Sequence, residues 1–334
     1  MNNRSLAIAT LSACTLLSPL AAADESLWVY AKGTDTLPEG KYEIKLNTIF
    51  REGKDSGDYT FNDIRPEFEY GLTDRLTLSA ELMFFDHNYS VVDCIGPVFE
   101  TQGNSEEECN EEGVLTVEPG RFNDTQFAGY EIGAKYNILS PYADPIGLTV
   151  GLAFERRDVY RLDGADINQN SYVGNILLQK NFLDDTLAVV LNTKLEFERR
   201  KNPGYVAGAE GSVLEEEFAY DLSVGISYRV APKWYVGLEW RQQSDFLNPL
   251  VDGEFDPDLE RTNFDIGDFR IGSRHQYGSY IGPSVHYGTQ NWWATLGALW
   301  QFKGGGSFAS FNRGGRNLDE HEKVHVGLTL ARQF

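Results

Sequence analysis

Beyond residue 23 this chain contains no stretch of about 18 apolar residues, so no membrane-spanning helix is available to it. Basic residues are scarce against acidic ones, 29 Lys and Arg facing 50 Asp and Glu for a net charge of −21. Such acidity argues against nucleic acid as a partner. Cysteine is limited to three residues in 334. Neither G-x-S-x-G, H-E-x-x-H nor a Cys/His metal cluster occurs. Gly304-Gly305-Gly306-Ser307 lacks the Gly-Lys-Ser/Thr ending of a phosphate loop and reads as a flexible outer loop. No cofactor is implied, and an enzyme is not expected.

The first residues combine Arg4 with an apolar stretch from Leu6 to Leu20 and the small residues Ala21, Ala22 and Ala23 before Asp24. That is the pattern of an export signal, residues 1–23, cleaved after Ala23. A competing reading takes Leu11-Ser12-Ala13-Cys14 as a lipoprotein cleavage box, but the apolar core ahead of Cys14 would be very short. Cleavage after Ala23 leaves 28 basic against 50 acidic residues, or −22, and retains Cys94 and Cys109 as an even pair. In an oxidising compartment those two are expected to form a disulfide, closing a loop of about 15 residues worth about 3 kcal/mol on the chain-entropy model. Two free thiols are the alternative.

An exported chain without an apolar helix can still cross a bilayer as a closed sheet, which satisfies every backbone N–H and C=O internally. The remaining sequence carries that pattern. In Lys41 to Arg51, Tyr42, Ile44, Leu46, Thr48 and Phe50 alternate with Lys41, Glu43, Lys45, Asn47 and Arg51. Thr186 to Glu198, Phe218 to Arg229, Trp234 to Arg241 and Asn291 to Phe302 alternate likewise. These segments approach the 9 to 11 residues that cross a bilayer at a tilt, and exceed the mode of about 5 to 6 in soluble sheets. Tyr70-Gly71-Leu72-Thr73-Asp74-Arg75-Leu76, Tyr228 to Trp234 and Tyr287 to Trp292 each set an aromatic before a tight polar turn, which suits a headgroup belt. Connections at the other ends are long and polar: Val91 to Thr125, Arg200 to Glu215, Asp245 to His275 and Lys303 to His321. A soluble sandwich has no reason to sort loop lengths by side.

The pattern predicts an all-β, antiparallel up-and-down transmembrane barrel over residues 41–334. Its strands fall near 41–51, 59–70, 76–88, 126–138, 147–158, 171–181, 186–198, 216–230, 233–243, 276–287, 291–302 and 323–334. Residues 24–40 form a short periplasmic N-terminal segment in this reading, because Leu27 to Ala31 is too short to span. Within 171–181 the alternation is blurred by Leu177, and Asn263 to Ser273 could hide further strand. In the last strand Val324, Val326, Leu328 and Leu330 share the parity of Phe334, opposite His325, Gly327, Thr329, Ala331 and Gln333. This resembles the C-terminal recognition signal of outer-membrane barrels, departing from it at Arg332. Two further phrases, Gly33-Thr34-Asp35-Thr36-Leu37-Pro38-Glu39-Gly40-Lys41-Tyr42-Glu43 and Glu69-Tyr70-Gly71-Leu72-Thr73-Asp74-Arg75-Leu76, resemble the opening of an uncharacterised family of bacterial outer-membrane barrels. The resemblance covers about the first sixty mature residues and carries no activity. What it implies is a place in a Gram-negative outer membrane, among its lipids and lipopolysaccharide, reached through the barrel-assembly machinery acting on the C-terminal strand.

If the large apolar row faces lipid, the opposite row faces a lumen. It then carries Lys41, Lys45, Arg51, Arg65, Lys135, Arg157, Lys194, Arg229 and Arg241 against Glu43, Glu67, Glu69, Glu81, Glu131, Glu155, Glu196, Glu198, Asp221 and Glu239. Two readings stand side by side: an interstrand ladder of ion pairs filling a narrow barrel, and the lining of a water-filled pore. The excess negative charge lies elsewhere, in Asp93 to Asp124 and Asp245 to Asp268. These are solvated loops or places where divalent cations concentrate. Ser284 and His286, two apart and so on one face, are a Ser/His proximity, but their parity turns them inward rather than toward lipid substrate. The expectation is a passive channel for small solutes, with a closed structural or surface-interaction barrel as the alternative.

Overall fold

The computed structural model describes residues 26–55, 57–90, 121–203, 212–247, 273–307 and 309–334. The strands are β1 (Tyr42–Glu52), β2 (Tyr59–Thr73), β3 (Leu76–Ser90), β4 (Arg121–Leu139), β5 (Gly147–Val159) and β6 (Asp166–Phe182). They continue as β7 (Leu187–Pro203), β8 (Ser212–Ala231), β9 (Trp234–Leu247), β10 (Ser273–Gly288), β11 (Trp292–Gly306) and β12 (Val324–Gln333). Each pairs antiparallel with its neighbours in the chain, and β1 closes on β12 from Glu43 opposite Gln333 to Glu52 opposite Val324. Closure leaves no strand edge, which is the condition for placing a sheet in hydrocarbon.

Period-2 alternation builds the wall. Along β1, Ile44 is 51 % exposed and Leu46 41 %, while Glu43 between β12 and β2 is fully buried and Lys45 is 7 % exposed. The same outward apolar row continues through Phe68, Leu78, Leu82, Ile132, Leu152, Ile226, Leu238, Leu296 and Leu330. A soluble protein does not leave so continuous an apolar surface in water; this one is a bilayer-facing belt. At the short-turn end Tyr42 stacks on Phe334 at 5.0 Å, and Trp234, Tyr287 and Trp292 form a second aromatic group on the outer face. The amide of Phe334 donates to Tyr42 O, so the terminal aromatic also closes the ladder.

Strand number, order and parity follow the sequence pattern, whereas the strands run further at the long-loop end. Residues 121–125, 166–170, 199–203, 212–215 and 303–306 belong to strands, not to connections. Gly304, Gly305 and Gly306 are therefore not a flexible loop: they end β11, opposite Gly278, Tyr277 and Gln276 of β10. The segment before β1 runs inside the barrel, against the wall near the short-turn end. Cys94, Cys109, the leader 1–23 and most of both acidic stretches lie outside the described residues.

Candidate functional site

The interior wall begins with charge. Across β2 to β5 the register sets Glu67 opposite Glu81, Glu81 opposite Glu131, and Glu131 opposite Glu155. Like charges directly opposite destabilise a sheet, so cations must reach across strands to hold this row. Arg65 does so: Nε meets Asp63 at 2.7 Å, and Nη1 reaches Glu81 at 2.9 Å and Glu155 at 3.6 Å. Lys45 joins Glu69 at 2.8 Å, Glu67 at 3.4 Å and Glu43 at 4.0 Å, and Lys135 approaches Glu69 at 3.6 Å. Further round, Arg157 bonds Glu155 at 2.6 Å, Lys194 bonds Glu196 at 2.6 Å, and Arg241 grips Asp221 through Nε at 2.7 Å.

From β8 to β12 a band of inward positions is small, and the N-terminal segment begins there. The register aligns Ser227, Gly237, Ser284, Gly297 and Gly327 in one row across five strands. Residues 26–37, hereafter the strap, fill that groove and continue round the wall. Trp28 lies over Gly225, where an added Cβ would come within 2.5 Å of the indole, and its Nε1 donates to Ile226 O at 3.2 Å. Val29 occupies the space that Cβ atoms on Gly297 and Gly327 would need. Trp28 and Ala31 are buried against Val190.

The strap forms no strand; polar side chains of the wall take its backbone groups instead. The carboxylate of Glu239 accepts the amides of Val29 at 2.9 Å, Tyr30 at 3.0 Å and Ala31 at 2.6 Å. Asn192 takes both the amide and the carbonyl of Lys32, Gln179 the amide of Thr34, and Asn137 and Thr149 donate to Thr34 O. Thr77 accepts from Leu37 at 2.9 Å. Ser284 donates to Leu27 O at 2.8 Å, while His286 bonds Thr295, whose hydroxyl donates to Ser26 O. The Ser284 and His286 pair thus holds the strap rather than forming a nucleophile and its base.

A second inward element closes the opposite end. After β11 the chain makes a 3-10 turn at Ser310–Gly315 and then buries Asn317, Leu318, Asp319, His321 and Glu322 inside the barrel. Asn317 exchanges bonds with Gln301, its amide donating at 2.9 Å and its carbonyl accepting at 2.8 Å. Lys54 Nζ donates to Asp319 O at 2.9 Å and approaches Glu322 at 3.5 Å. Although burial works against its charge, Lys54 and the hydrogen bond from His325 hold the Glu322 carboxyl well below the usual carboxylate range. Burial keeps His321 neutral, its pKa well below the ordinary value. The turn 160–165 also folds inward, with Arg161 O and Leu162 O bonded to His87 and Tyr59.

Under these elements lies a cavity of about 110 Å³ whose lining includes Arg51, Arg161, Lys194, Glu198, Asp245 and His321. Arg241, also in its wall, rests 3.7 Å over the ring of Tyr30. Tyr30 links the two closing elements: its hydroxyl lies 2.7 Å from His325 Nδ1, and His325 Nε2 lies 3.0 Å from Glu322.

Of the charged residues read from the sequence as inward, Lys45, Glu67, Glu69, Glu155, Arg157, Glu196, Glu239 and Arg241 are buried within the wall. Arg65, Glu81, Glu131, Lys135, Lys194 and Asp221 are half-buried, and Lys41 lies exposed just before β1. Arg229 sits at the rim, bonded to Thr186 of the neighbouring turn. Glu239 is set apart, since it serves the strap rather than the ladder. The sequence reading did not single out Gln179, Asn137, Thr149 and Thr77; the signal that could have found the groove is the run of inward glycines on β8 to β12.

A closed twelve-stranded barrel with an apolar belt, a charged interior and an N-terminal strap inside it is an outer-membrane-type barrel with an occupied lumen. The chain belongs to a family of unknown function, DUF6662, whose sequence profile matches residues 20–334. Among solved structures it is similar to the COG4313 outer membrane channel from Pseudomonas putida F1, at 13% identity and TM-score 0.56 over 90% of this chain and 98% of that one. It also matches the KdgM porin at 10% identity and TM-score 0.40, over 87% and 99% of the two chains. The toluene transporter TbuX of Ralstonia pickettii matches at 10% identity and TM-score 0.37, over 89% and 90%. At 13% identity the first of these likenesses speaks for the fold alone. No curated protein matches the sequence.

Proposed function

We propose that the protein is an outer-membrane channel for small polar solutes, held shut in this conformation by its own strap and outer loop. The observation that carries the reading is the charged cavity within the wall. Burying ions is costly even when they are paired, and an interior that needed only to be filled would do so with apolar side chains. A lining of mixed sign, with Arg161 and Lys194 facing Glu198 and Asp245, suits solutes that are neutral and polar or carry both charges. The apolar belt and the terminal aromatic support residence in the outer membrane, with lipid and lipopolysaccharide around the wall and assembly through β12. Planar-bilayer recording of the refolded protein tests this: discrete steps are expected, and silence at every voltage, in native and strap-trimmed protein alike, would remove the channel.

Occupation of both mouths favours a second reading, a closed structural barrel. The same recording separates them, because a structural barrel stays silent after residues 24–37 are deleted, whereas a strapped channel conducts more.

A further inference from the structure

Three observations meet at the strap. It is bonded to the wall through side chains and not through a strand ladder, so it can leave without opening the barrel. Its groove is made of glycine and serine, which gives it room without binding it by shape alone. And Tyr30, its one side chain bonded toward the outer end, joins His325 and through it Glu322 of the inward loop. With Glu322 ionised and the His325 ring neutral, the chain has one direction: the Tyr30 hydroxyl donates to Nδ1, and Nε2–H donates to the Glu322 carboxylate.

We propose that the strap and the outer loop 309–323 are two leaves of one gate, opening together because Tyr30, His325 and Glu322 form a single hydrogen-bonded chain between them. The proposal rests on the channel reading. When the strap withdraws, His325 loses the donor on Nδ1 that fixes its tautomer, and the bond to Glu322 is no longer directed. When the loop leaves, the ring has no acceptor at Nε2 and Tyr30 loses an oriented partner. Each departure lowers the cost of the other, which is what coupling between two sites means. Lys54, Arg51 and His321 also face Glu322, so the loop keeps an ionic hold that Tyr30 does not control.

The geometry offers a lock. An ideal Cβ on Gly327 lies 3.2 Å from the Val29 Cβ, near the spacing of about 3.5–4.5 Å between the Cβ atoms of a disulfide. In full-length protein carrying Cys94→Ser and Cys109→Ser, the pair Val29→Cys and Gly327→Cys should cross-link the strap to β12. Heat-modifiable gel mobility confirms that the barrel folds. Single-channel conductance should fall to baseline under oxidant and return on reduction. Equal conductance in both redox states overturns the gate and leaves the channel standing; silence of the reduced and native protein also overturns the gate, and silence that persists after residues 24–37 are deleted removes the channel reading with it.

Coupling is read separately, without conductance. Leu318→Cys places a buried thiol in the loop, to be labelled in proteoliposomes by a membrane-impermeant maleimide. Adding Tyr30→Phe, which deletes one hydroxyl of the strap, should speed that labelling about fivefold, the population shift expected for one ordinary hydrogen bond. The cross-linked strap should slow it. An unchanged rate in both would show that the leaves move independently and would overturn the coupling.

Discussion

The two sides of the lumen wall solve the problem of a barrel interior differently. Around Arg65 and Lys45, on β1 to β5, the inward positions carry long charged side chains that reach one another, the two cations each serving three carboxylates. From β8 to β12 a band of inward positions is small, with Gly225, Gly237, Ser284, Gly297 and Gly327, and a separate length of chain fills what they leave. A wall that fills itself is permanent, whereas a wall filled by a strap can be emptied. The strap crosses both sides, bonded to Asn192, Gln179 and Thr77 on the first, but it is in the band of small residues that it fills the space they leave.

Removing a cation from the self-filled side should break it most. Arg65→Ala leaves Asp63, Glu81 and Glu155 without their shared guanidinium, next to the row that also holds Glu67 and Glu131. A loss of about 3 kcal/mol is expected, the scale for stripping one partner from a buried ion pair. Urea unfolding in liposomes, followed by tryptophan emission, measures it; a loss below about 1 kcal/mol would mean that lumen water already screens the row.

How much of this contrast was legible follows from what fixes each side. Alternation is set by lipid on one face, so Ile44, Leu222 or Leu296 could be placed without tertiary knowledge, and twelve strands could be counted. The same rule misreads an inward apolar residue as noise. Val190 and Leu177 are apolar and buried on the polar face, and for Val190 the reason is that Trp28 and Ala31 cover it. The strap itself has no periodicity, because its backbone is bonded by Glu239, Asn192 and Gln179 from strands more than a hundred residues away. No local pattern encodes such partners. Glu239 illustrates the limit: its parity was plain in the sequence, while its role as acceptor for three amides depends on a neighbour found only in space.

On the strapped side, Glu239→Gln should act next. The amide side chain keeps the shape but exchanges one acceptor oxygen for a donor aimed at the strap amides of Val29, Tyr30 and Ala31. Bonds to a charged acceptor are worth about 1.5–3 kcal/mol, so the strap should be released while the barrel stays folded. Limited proteolysis in liposomes should cut before residue 40 faster than in the native protein, with an unchanged urea midpoint for the rest. A lowered midpoint with an uncut strap would mean that Glu239 supports the wall and not the strap.

Glycines on the two sides give a matched pair. Gly225→Ala places a methyl within 2.5 Å of Trp28, whereas Gly151→Ala meets nothing nearer than 3.4 Å, the Asn175 Cβ. The first should cost about 1–3 kcal/mol in overpacking, taken from the strap. The second should be neutral or stabilising by about 0.4–1 kcal/mol through the unfolded chain. Equal effects of the two would erase the distinction between the halves.

Acid should act more gradually than any of these, at most about 1.4 kcal/mol per pH unit for each group. His321 is buried as the neutral ring with its pKa well below 6.5, so an undocked loop takes up a proton that the docked loop refuses. Docking therefore weakens as pH falls through 6.5 toward the folded value. Glu322, held well below 4.5 by Lys54 and by His325 against the pull of burial, contributes docking strength in full above 4.5 and loses it below. Both signs agree: lowering the pH from 7 to 4 favours release, beginning with His321 and joined near the end by Glu322. Lys54, Arg51, His325 and Arg161 face these groups and stay in place, so the steepest change belongs to His321. His321→Asn should flatten the upper part of a labelling profile for Leu318→Cys between pH 7 and 5 while leaving its lower part. A profile unchanged by that substitution would put the acid response on the wall and not on the loop.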